Sequence, residues 1–427
     1  MNTRSFLFWL YDFIINRRAV AEYYNELVRT VGRTDDRHNE KLRKIMAYAV
    51  QNVPYYSGCK SDNILDFPVV NKTVIKNDIK QFVSKTVDIN SLHKVTTSGS
   101  TGTPFTVFHD KTKRIHHTAD NLFFMNLAGY TMGTPLYYMR VWNKYCSHGK
   151  LSNLLSNIHP VEIADLSEDV LSKIFDGIIT GGGRKSILAF ASTYDTLCSF
   201  LQKKNICSLD ADIEVMIAMS EHLSEVTRKT LSEILHCPVV ARYSNMENGF
   251  IGQQLPGTPW YLLNNCSYYV ELLDLDSDKP VEKENELGRI VITDYYNFGM
   301  PMIRYDTGDL GTFERKMYKG EEIAVLASIE GRRTDMIYQT NGAYASPHVI
   351  TNTMWPYHSI KQWQFIQTGE KDYKFILNGV ISKEEINELE KNLRGYLGNN
   401  ANFVYEYVDN IPVLSSGKRK MIVNNMK

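Results

Sequence analysis

Apolar positions recur along this chain with two periods, and the changes between them mark its elements. In residues 38–53 the apolar residues Leu42, Ile45, Met46, Ala49 and Val53 fall three or four apart, the repeat of an amphipathic helix, and Pro54 ends it. After the turn Gly181-Gly182-Gly183 a similar pattern predicts a helix over residues 187–201. Residues 214–219 then read as a strand, 223–235 as a helix and 238–243 as a strand again. This β–α–β rhythm implies a parallel sheet with crossover helices. Beyond about residue 260 the signal becomes antiparallel, with strands over 268–273 and 288–293. The last ~95 residues have the size and pattern of a small α+β unit. There, residues 363–367 and 373–377 predict a hairpin across Gly369. Ser382-x-x-Glu385 predicts a capping box opening a helix with Ile386, Leu389, Leu393 and Leu397 on one face.

The chain has 427 residues, enough for two or three domains. Lys+Arg and Asp+Glu both number 48, so no global field favours nucleic acid, and no long basic run supplies a local one. Its six cysteines (Cys59, Cys146, Cys198, Cys207, Cys237, Cys266) form no C-x-x-C, which points away from zinc knuckles and disulfide scaffolds and toward a reducing cytoplasm. Residues 6–15, Phe-Leu-Phe-Trp-Leu-Tyr-Asp-Phe-Ile-Ile, are strongly apolar but fall short of the ~20 residues a membrane span needs. Arg4, Arg17 and Arg18 flank them and no small-residue cleavage site follows. The expectation is a helix docked on the body of the protein, with peripheral membrane contact as the alternative.

The most informative chemistry lies in Thr96-Thr97-Ser98-Gly99-Ser100-Thr101-Gly102-Thr103-Pro104. Eight of these nine residues are Thr, Ser or Gly, so backbone N–H groups and hydroxyls can converge on phosphate oxygens. A flexible linker has a similar composition. Strand-like sequence on both sides, Val95 before and Phe105-Thr106-Val107-Phe108 after, favours a site. No Gly-Lys-Ser/Thr closes it, so it is not a Walker A loop. Arg184-Lys185-Ser186 after the three glycines also fails that spacing, and a turn into a helix N-terminus is expected there.

Four further motifs follow in order. Tyr243-Ser244-Asn245-Met246-Glu247 ends a predicted strand, where open α/β sheets place ligands. Its aromatic can stack on a base and its carboxylate can hold Mg²⁺. In Arg304-Tyr305-Asp306-Thr307-Gly308-Asp309 a carboxylate beside glycine suits two ribose hydroxyls, and the same residues suit a tight turn. Gly331-Arg332-Arg333-Thr334-Asp335 offers arginines to phosphate or ribose, or a solvated charge cluster. Ser415-Ser416-Gly417-Lys418 sets a lysine on a tight loop behind the apolar Ile411-Pro412-Val413-Leu414. Tyr138, Arg140 and Trp142, on a strand-like run, form a candidate wall for an acid substrate, with a structural ion pair at Arg140 as the alternative.

Taken together, these motifs resemble the adenylate-forming superfamily of acyl-CoA synthetases, luciferases and nonribosomal-peptide adenylation domains. The branch they resemble is that of phenylacetate–CoA ligase and its capsule-locus, CapK-like relatives. The ending Asn52-Val53-Pro54-Tyr55-Tyr56 and the wording of the ribose motif carry that closer likeness. The resemblance implies an α/β multi-domain fold: a large N-terminal sheet domain over residues 1–331 with an added antiparallel part, and a small mobile α+β domain over 332–427. It implies ATP and Mg²⁺ as cofactors, coenzyme A as an acceptor, no zinc, and small-molecule partners only. Thr97, Ser98, Gly99, Ser100, Thr101, Gly102 and Thr103 would wrap the β- and γ-phosphates. Tyr243, with Ser244, Asn245 and Met246, would border adenine, Glu247 would bind Mg²⁺, and Asp309 and Arg332 would hold the ribose. Lys418 would neutralise the α-phosphate, and Arg333, Thr334 and Asp335 would form the hinge.

Three positions depart from the family pattern. Met246 stands where a Thr or Ser is usual, Ser244 where a Gly is usual, and Thr334 where an acid is common, with Asp335 adjacent. The implied activity is activation of a carboxylic acid as an acyl-adenylate with release of pyrophosphate, then transfer to coenzyme A. Transfer to an amine or hydroxyl in capsule or O-antigen polysaccharide synthesis is the alternative. A non-catalytic nucleotide-binding protein and an ADP-releasing phosphotransferase are the rival classes. The first is disfavoured by intact Lys418, Glu247 and Asp309, the second by the missing Walker lysine.

Overall fold

An eleven-stranded sheet organises most of the chain, in a computed structural model that describes all residues except 1, 34–35, 61, 98–104, 143–155, 164–167, 333–335, 346, 355, 358, 413–419 and 427. Three helices come first: α1 (Thr3–Ile15), α2 (Ala19–Thr30) and α3 (Asp36–Asn52). The third matches the helical pattern of residues 38–53, with Leu42, Ile45, Met46 and Ala49 buried. A short helix α4 (Lys72–Asn77) is capped by Asn71, whose Oδ1 accepts from Thr73 N and Val74 N. The hairpin β1 (His93–Thr97) and β2 (Phe105–His109) pairs antiparallel from His93 opposite His109 to Thr97 opposite Phe105. Helix α5 (Lys111–Ala128) follows, started by Asp110 accepting from Lys113 N and stopped by Gly129 at φ +113°.

Strands β3 (Leu136–Arg140), β4 (Ile158–Glu162), β5 (Lys185–Phe190), β6 (Ile213–Met219) and β7 (Val239–Asn245) pair in parallel in the order β4-β3-β5-β6-β7. From there the sheet turns antiparallel through β8 (Gly249–Gln254), β9 (Tyr261–Leu263), β10 (Tyr268–Leu273), β11 (Gly288–Asp294), β12 (Tyr305–Tyr318) and β13 (Glu321–Arg332). The parallel-then-antiparallel reading of the sequence therefore holds. Its expected helix over 187–201 does not begin where the pattern suggests. Residues 185–190 are β5, buried throughout between β3 and β6, and the helix is Ala191–Lys203. The glycine turn accordingly leads into a strand, and Lys185 Nζ folds back on the carbonyls of Gly181 and Gly183. A short apolar run enclosed on both faces carries no period that separates strand from helix.

Toward the C-terminus, β14 (Ile337–Tyr338) and β15 (Tyr344–Ala345) form a small ladder. A four-stranded sheet then assembles β16 (Ile360–Gln367), β17 (Asp372–Gly379), β18 (Asn402–Tyr407) and β19 (Ile422–Asn424) in the order β18-β17-β16-β19. The expected hairpin is β16–β17, with Trp363 opposite Leu377 and Gln367 opposite Tyr373. The capping box is complete: Glu385 N donates to Ser382 Oγ at 3.2 Å and Ser382 N to Glu385 Oε2 at 2.8 Å. It opens helix Lys383–Leu397, whose Leu389, Leu393 and Leu397 are fully buried with Phe365, Phe375 and Ile337.

Helix α1 docks on the body as expected, with Phe8 and Trp9 packed against the core that holds Val20, Tyr23, Leu27 and Phe123. It touches α2 through Trp9, edge-on to Tyr24 at 5.7 Å between centroids. Its two fully buried residues are Ser5 and Asp12, on the same side as the half-buried Phe8 and Trp9.

Candidate active site

The site forms where β7 runs into β8. Asn245 Oδ1 accepts from Asn248 N at 2.7 Å, an Asx turn that reverses the chain. The reversal leaves Met246 outward, 57% exposed, and drives Glu247 inward, 2% exposed. Three elements then grip Glu247. Its carbonyl accepts from His109 Nε2 on β2 at 2.8 Å, its Oε1 pairs with Lys72 Nζ on α4 at 2.7 Å, and Tyr305 Oη on β12 donates to Oε1 at 3.3 Å. Burial first, and the nearby Lys113 second, push the His109 imidazole down to about 4, so the ring is neutral and its Nε2–H is the donor. Lys72 also lies 5.7 Å above the ring of Phe105, the first residue after the hydroxyl-rich loop. That loop itself, including Ser98 to Thr103, lies outside the described residues. Its flanks, Thr97 and Phe105, are backbone partners in the β1–β2 hairpin.

The aromatic and ribose candidates meet directly. Tyr243 Oη donates to Asp309 Oδ2 at 2.9 Å and lies 3.5 Å from Thr307 Oγ1. Burial, with the Asp309 carboxylate second, raises the Tyr243 phenol well above its ordinary value, so it stays a donor. The Asp-Thr-Gly-Asp stretch is not the hairpin turn that the sequence also allowed: it lies within β12, opposite a register shift in the β11–β12 ladder. Gly308 takes φ +79° and its N–H donates to Asp306 Oδ1, while Asp309 N donates to Thr307 Oγ1. Asp306 is held by Arg289 at 2.7 Å, and this local turn aims Asp309 toward Tyr243. Arg332 is the direct cross-strand partner of Asp309 in the β12–β13 ladder. The hinge candidates Arg333, Thr334 and Asp335, and Lys418, lie outside the described residues.

A second group gathers on one face at the C-terminal ends of the parallel strands. Arg140 Nη1 donates to Tyr138 Oη at 3.0 Å, and its guanidinium lies 5.5 Å and 5.6 Å from the rings of Tyr138 and Trp142. Trp142 Nε1 is tied to Val161 O at 3.1 Å. The structure adds Arg242, next to Tyr243 on β7 and paired in register with Met219. Its Nη2 lies 3.9 Å from Met219 Sδ and its guanidinium 5.3 Å from the Phe250 ring. No carboxylate among the described residues forms an ion pair with it. Burial lowers its pKa, against which the neighbouring Tyr138 hydroxyl acts in the opposite direction. Sequence reasoning missed Lys72, Tyr305 and Arg242 as site residues. Tyr305 sat inside a recognised motif, whereas Lys72 gave no local signal at all.

For a divalent cation the described residues supply one carboxylate, Glu247, and no cluster of three or more His, Cys, Asp or Glu side chains that could hold a metal. That donor set fits Mg²⁺ arriving on a nucleotide, which keeps its waters and phosphate oxygens, better than a resident all-protein metal.

Comparison with known proteins agrees with this architecture. Residues 337–425 match the family model for the CapK C-terminal domain. The chain is 21% identical to protein CapK from Staphylococcus aureus over 448 residues, covering 97% of this chain and 94% of that one. Among solved structures, 2-hydroxyisobutyryl-CoA ligase in its postadenylation state with 2-HIB-AMP superposes with a TM-score of 0.72 at 15% identity, covering 92% of this chain and 90% of that one. Anthranilate CoA ligase AuaEII with anthranoyl-AMP gives 0.56 at 16% identity over 79% and 66% of the two chains. ATP-bound MatB from Rhodopseudomonas palustris gives 0.55 at 15% over 79% and 68%. The chain is thus similar to protein CapK along nearly its whole length, matches the CapK C-terminal domain over residues 337–425, and shares the fold of 2-hydroxyisobutyryl-CoA ligase.

Proposed function

We propose that the protein activates a carboxylic acid as its acyl-adenylate, releasing pyrophosphate from ATP, and then passes the acyl group to coenzyme A. The observation that carries this reading is the convergence of Tyr243, Asp309, Glu247 and Lys72 beside the hairpin that presents the hydroxyl-rich loop. Tyr243 would face adenine and Asp309, with Arg332, would accept the ribose hydroxyls. Residues 97–103 would wrap the β- and γ-phosphates, next to the Lys72 cation. Glu247 would hold Mg²⁺, which when bound offsets phosphate charge. Attack of a carboxylate on the α-phosphate concentrates charge on equatorial oxygens, and Lys418 on the C-terminal unit would disperse it. That unit, residues 332–427, would then swing about residues 333–335 to present a second face for acyl transfer.

The acid would lie along Tyr138, Arg140 and Trp142, with Arg242 completing the wall. Two guanidinium groups around one tyrosine hydroxyl suit an acid that carries a further negative or strongly polar group. ATP–pyrophosphate exchange across aryl acids, amino acids, dicarboxylic acids and uronic acids tests both statements. Exchange with any acid supports the activity, and the strongest exchange with dicarboxylic or uronic acids supports the wall. Formation of ADP in place of pyrophosphate would overturn the proposal. The second acceptor class, an amine or hydroxyl of a polysaccharide precursor, is the alternative that the sequence resemblance to capsule-locus relatives implies. Supplying coenzyme A or amino sugars to the preformed adenylate separates the two.

A further inference from the structure

Helix α1 docks through Phe8 and Trp9 and leaves a wide apolar face outside. Its buried residues, Ser5 and Asp12, lie seven positions apart and so share one face. Asp12 does structural work there: its Oδ1 and Oδ2 accept from Val20 N at 3.2 Å and Ala21 N at 3.0 Å, capping α2. The opposite face carries Phe6, Leu7, Leu10, Tyr11, Phe13, Ile14 and Ile15, each between 40% and 62% exposed. Elsewhere exposed large apolar residues are scattered singly along the chain, as on any protein surface.

The basic charges near this face gather at the C-terminal end of the helix, and the first exposed acid after them in the chain is Glu22 on α2. Between residues 2 and 21 the only acid is the buried Asp12, while Arg17 and Arg18 stand exposed at the C-terminal end of the helix. Both arginines hold positive φ, 54° and 67°, so the corner that displays them is set by the backbone. Thirteen residues make a helix of about 20 Å, too short to cross a bilayer and long enough to lie in its surface. No helix among the described residues is long and apolar enough to cross a membrane.

We propose that α1 docks the protein on a bilayer containing anionic lipid, sinking Phe6, Leu10, Phe13 and Ile14 into the headgroup–acyl boundary with Arg17 and Arg18 at the phosphates. An apolar face with a basic end matches the two attractions of that interface, burial and surface potential. The proposal stands apart from the catalytic reading, since none of these residues belongs to the site.

The test is co-sedimentation of the full chain with vesicles of phosphatidylcholine alone or with about 30 mol% phosphatidylglycerol. Wild type should partition at least about tenfold more strongly onto the anionic vesicles, and high salt should remove that preference. Phe13→Ser with Ile14→Ser should weaken binding to both by about tenfold or more. Arg17→Asn with Arg18→Asn should abolish only the anionic preference, asparagine being chosen because it tolerates positive φ. Unchanged thermal melting of both variants would establish that folding is intact. Absence of vesicle binding by the wild type, or equal binding by all three proteins, overturns the proposal. So does a wild-type dimer in sedimentation velocity that Phe13→Ser with Ile14→Ser dissociates without any vesicle binding, because the face would then belong to a second copy.

Discussion

Asp309 tests the nucleotide reading at the scale of one side chain. Its Oδ2 already accepts from Tyr243 Oη at 2.9 Å, so the carboxylate is fixed before any ligand arrives. Asp309→Ala removes the acceptor for two ribose hydroxyls and releases the tyrosine. The expected effect is an increase in the KM for ATP of about tenfold to a hundredfold, with little change in melting temperature. Wild-type protein should lose part of that affinity with 2′-deoxy-ATP, and equal affinity for both nucleotides would remove Asp309 from the ribose. Lys418→Ala makes a contrasting prediction. A lysine that acts on the transition state alone should lower the exchange rate by about a hundredfold to a thousandfold while ATP affinity stays near wild type. Exchange kinetics beside a nucleotide-binding titration separate the two outcomes. Tyr243, Glu247 and Asp309 were legible as candidates because each sits in a local motif with recognisable chemistry. Lys72 and Arg242 were not, since their meaning comes from neighbours on other elements: Glu247 and Phe105 for the first, Tyr138 and Phe250 for the second.

At the scale of elements, α5 joins the site to an interior rich in titratable groups. Lys113, fully buried, pairs with Asp294 at 2.6 Å and donates to Tyr268 Oη at 2.9 Å. Around it, burial first and the lysine charge second lower His116 and His117 to about 3, and His109 on the adjoining β2 to about 4. These rings are neutral when folded and titrate near 6.5 when unfolded, so the unfolded chain binds more protons between those values. Asp120 acts the other way: burial raises it to about 7, and the native state keeps its proton where the unfolded state has lost it. Asp195, which burial also raises to about 7, adds to Asp120, but three histidines outweigh two aspartates, so the unfolding free energy should fall as pH drops from about 6.5 to about 4. Urea denaturation at intervals of pH measures it, and a flat or opposite slope would show that the rings are solvated. Elements of this kind were partly readable in advance. The capping box at Ser382 and the strands β6, β7, β10 and β11 announced themselves by local pattern. Strand β5 did not, because a run buried on both faces has no polar side to give its period, and for α1 the docking was readable but not which face meets the body, since an apolar helix has no polar side to mark it.

The whole molecule raises the question of motion. Residues 337–425 carry their own core, in which Leu389, Leu393 and Leu397 close over Phe365, Phe375 and Tyr373. Before them, β13 runs through Gly331, at φ +95°, and Arg332. One active site serving two half-reactions needs a pivot at such a boundary between cores, and a few residues able to change φ and ψ suffice. Thr334→Pro fixes φ near about −65° at its own position and disfavours the α region at Arg333. The expected result is unequal damage: one half-reaction retains most of its rate and the other falls by about tenfold or more, according to which pose proline permits. Pre-steady-state pyrophosphate release and acyl transfer from preformed adenylate, measured separately, report the two. Equal slowing of both would mark simple destabilisation, and unchanged rates would move the pivot elsewhere. Unequal slowing would assign to residues 333–335 the swing that carries Lys418 away from the α-phosphate.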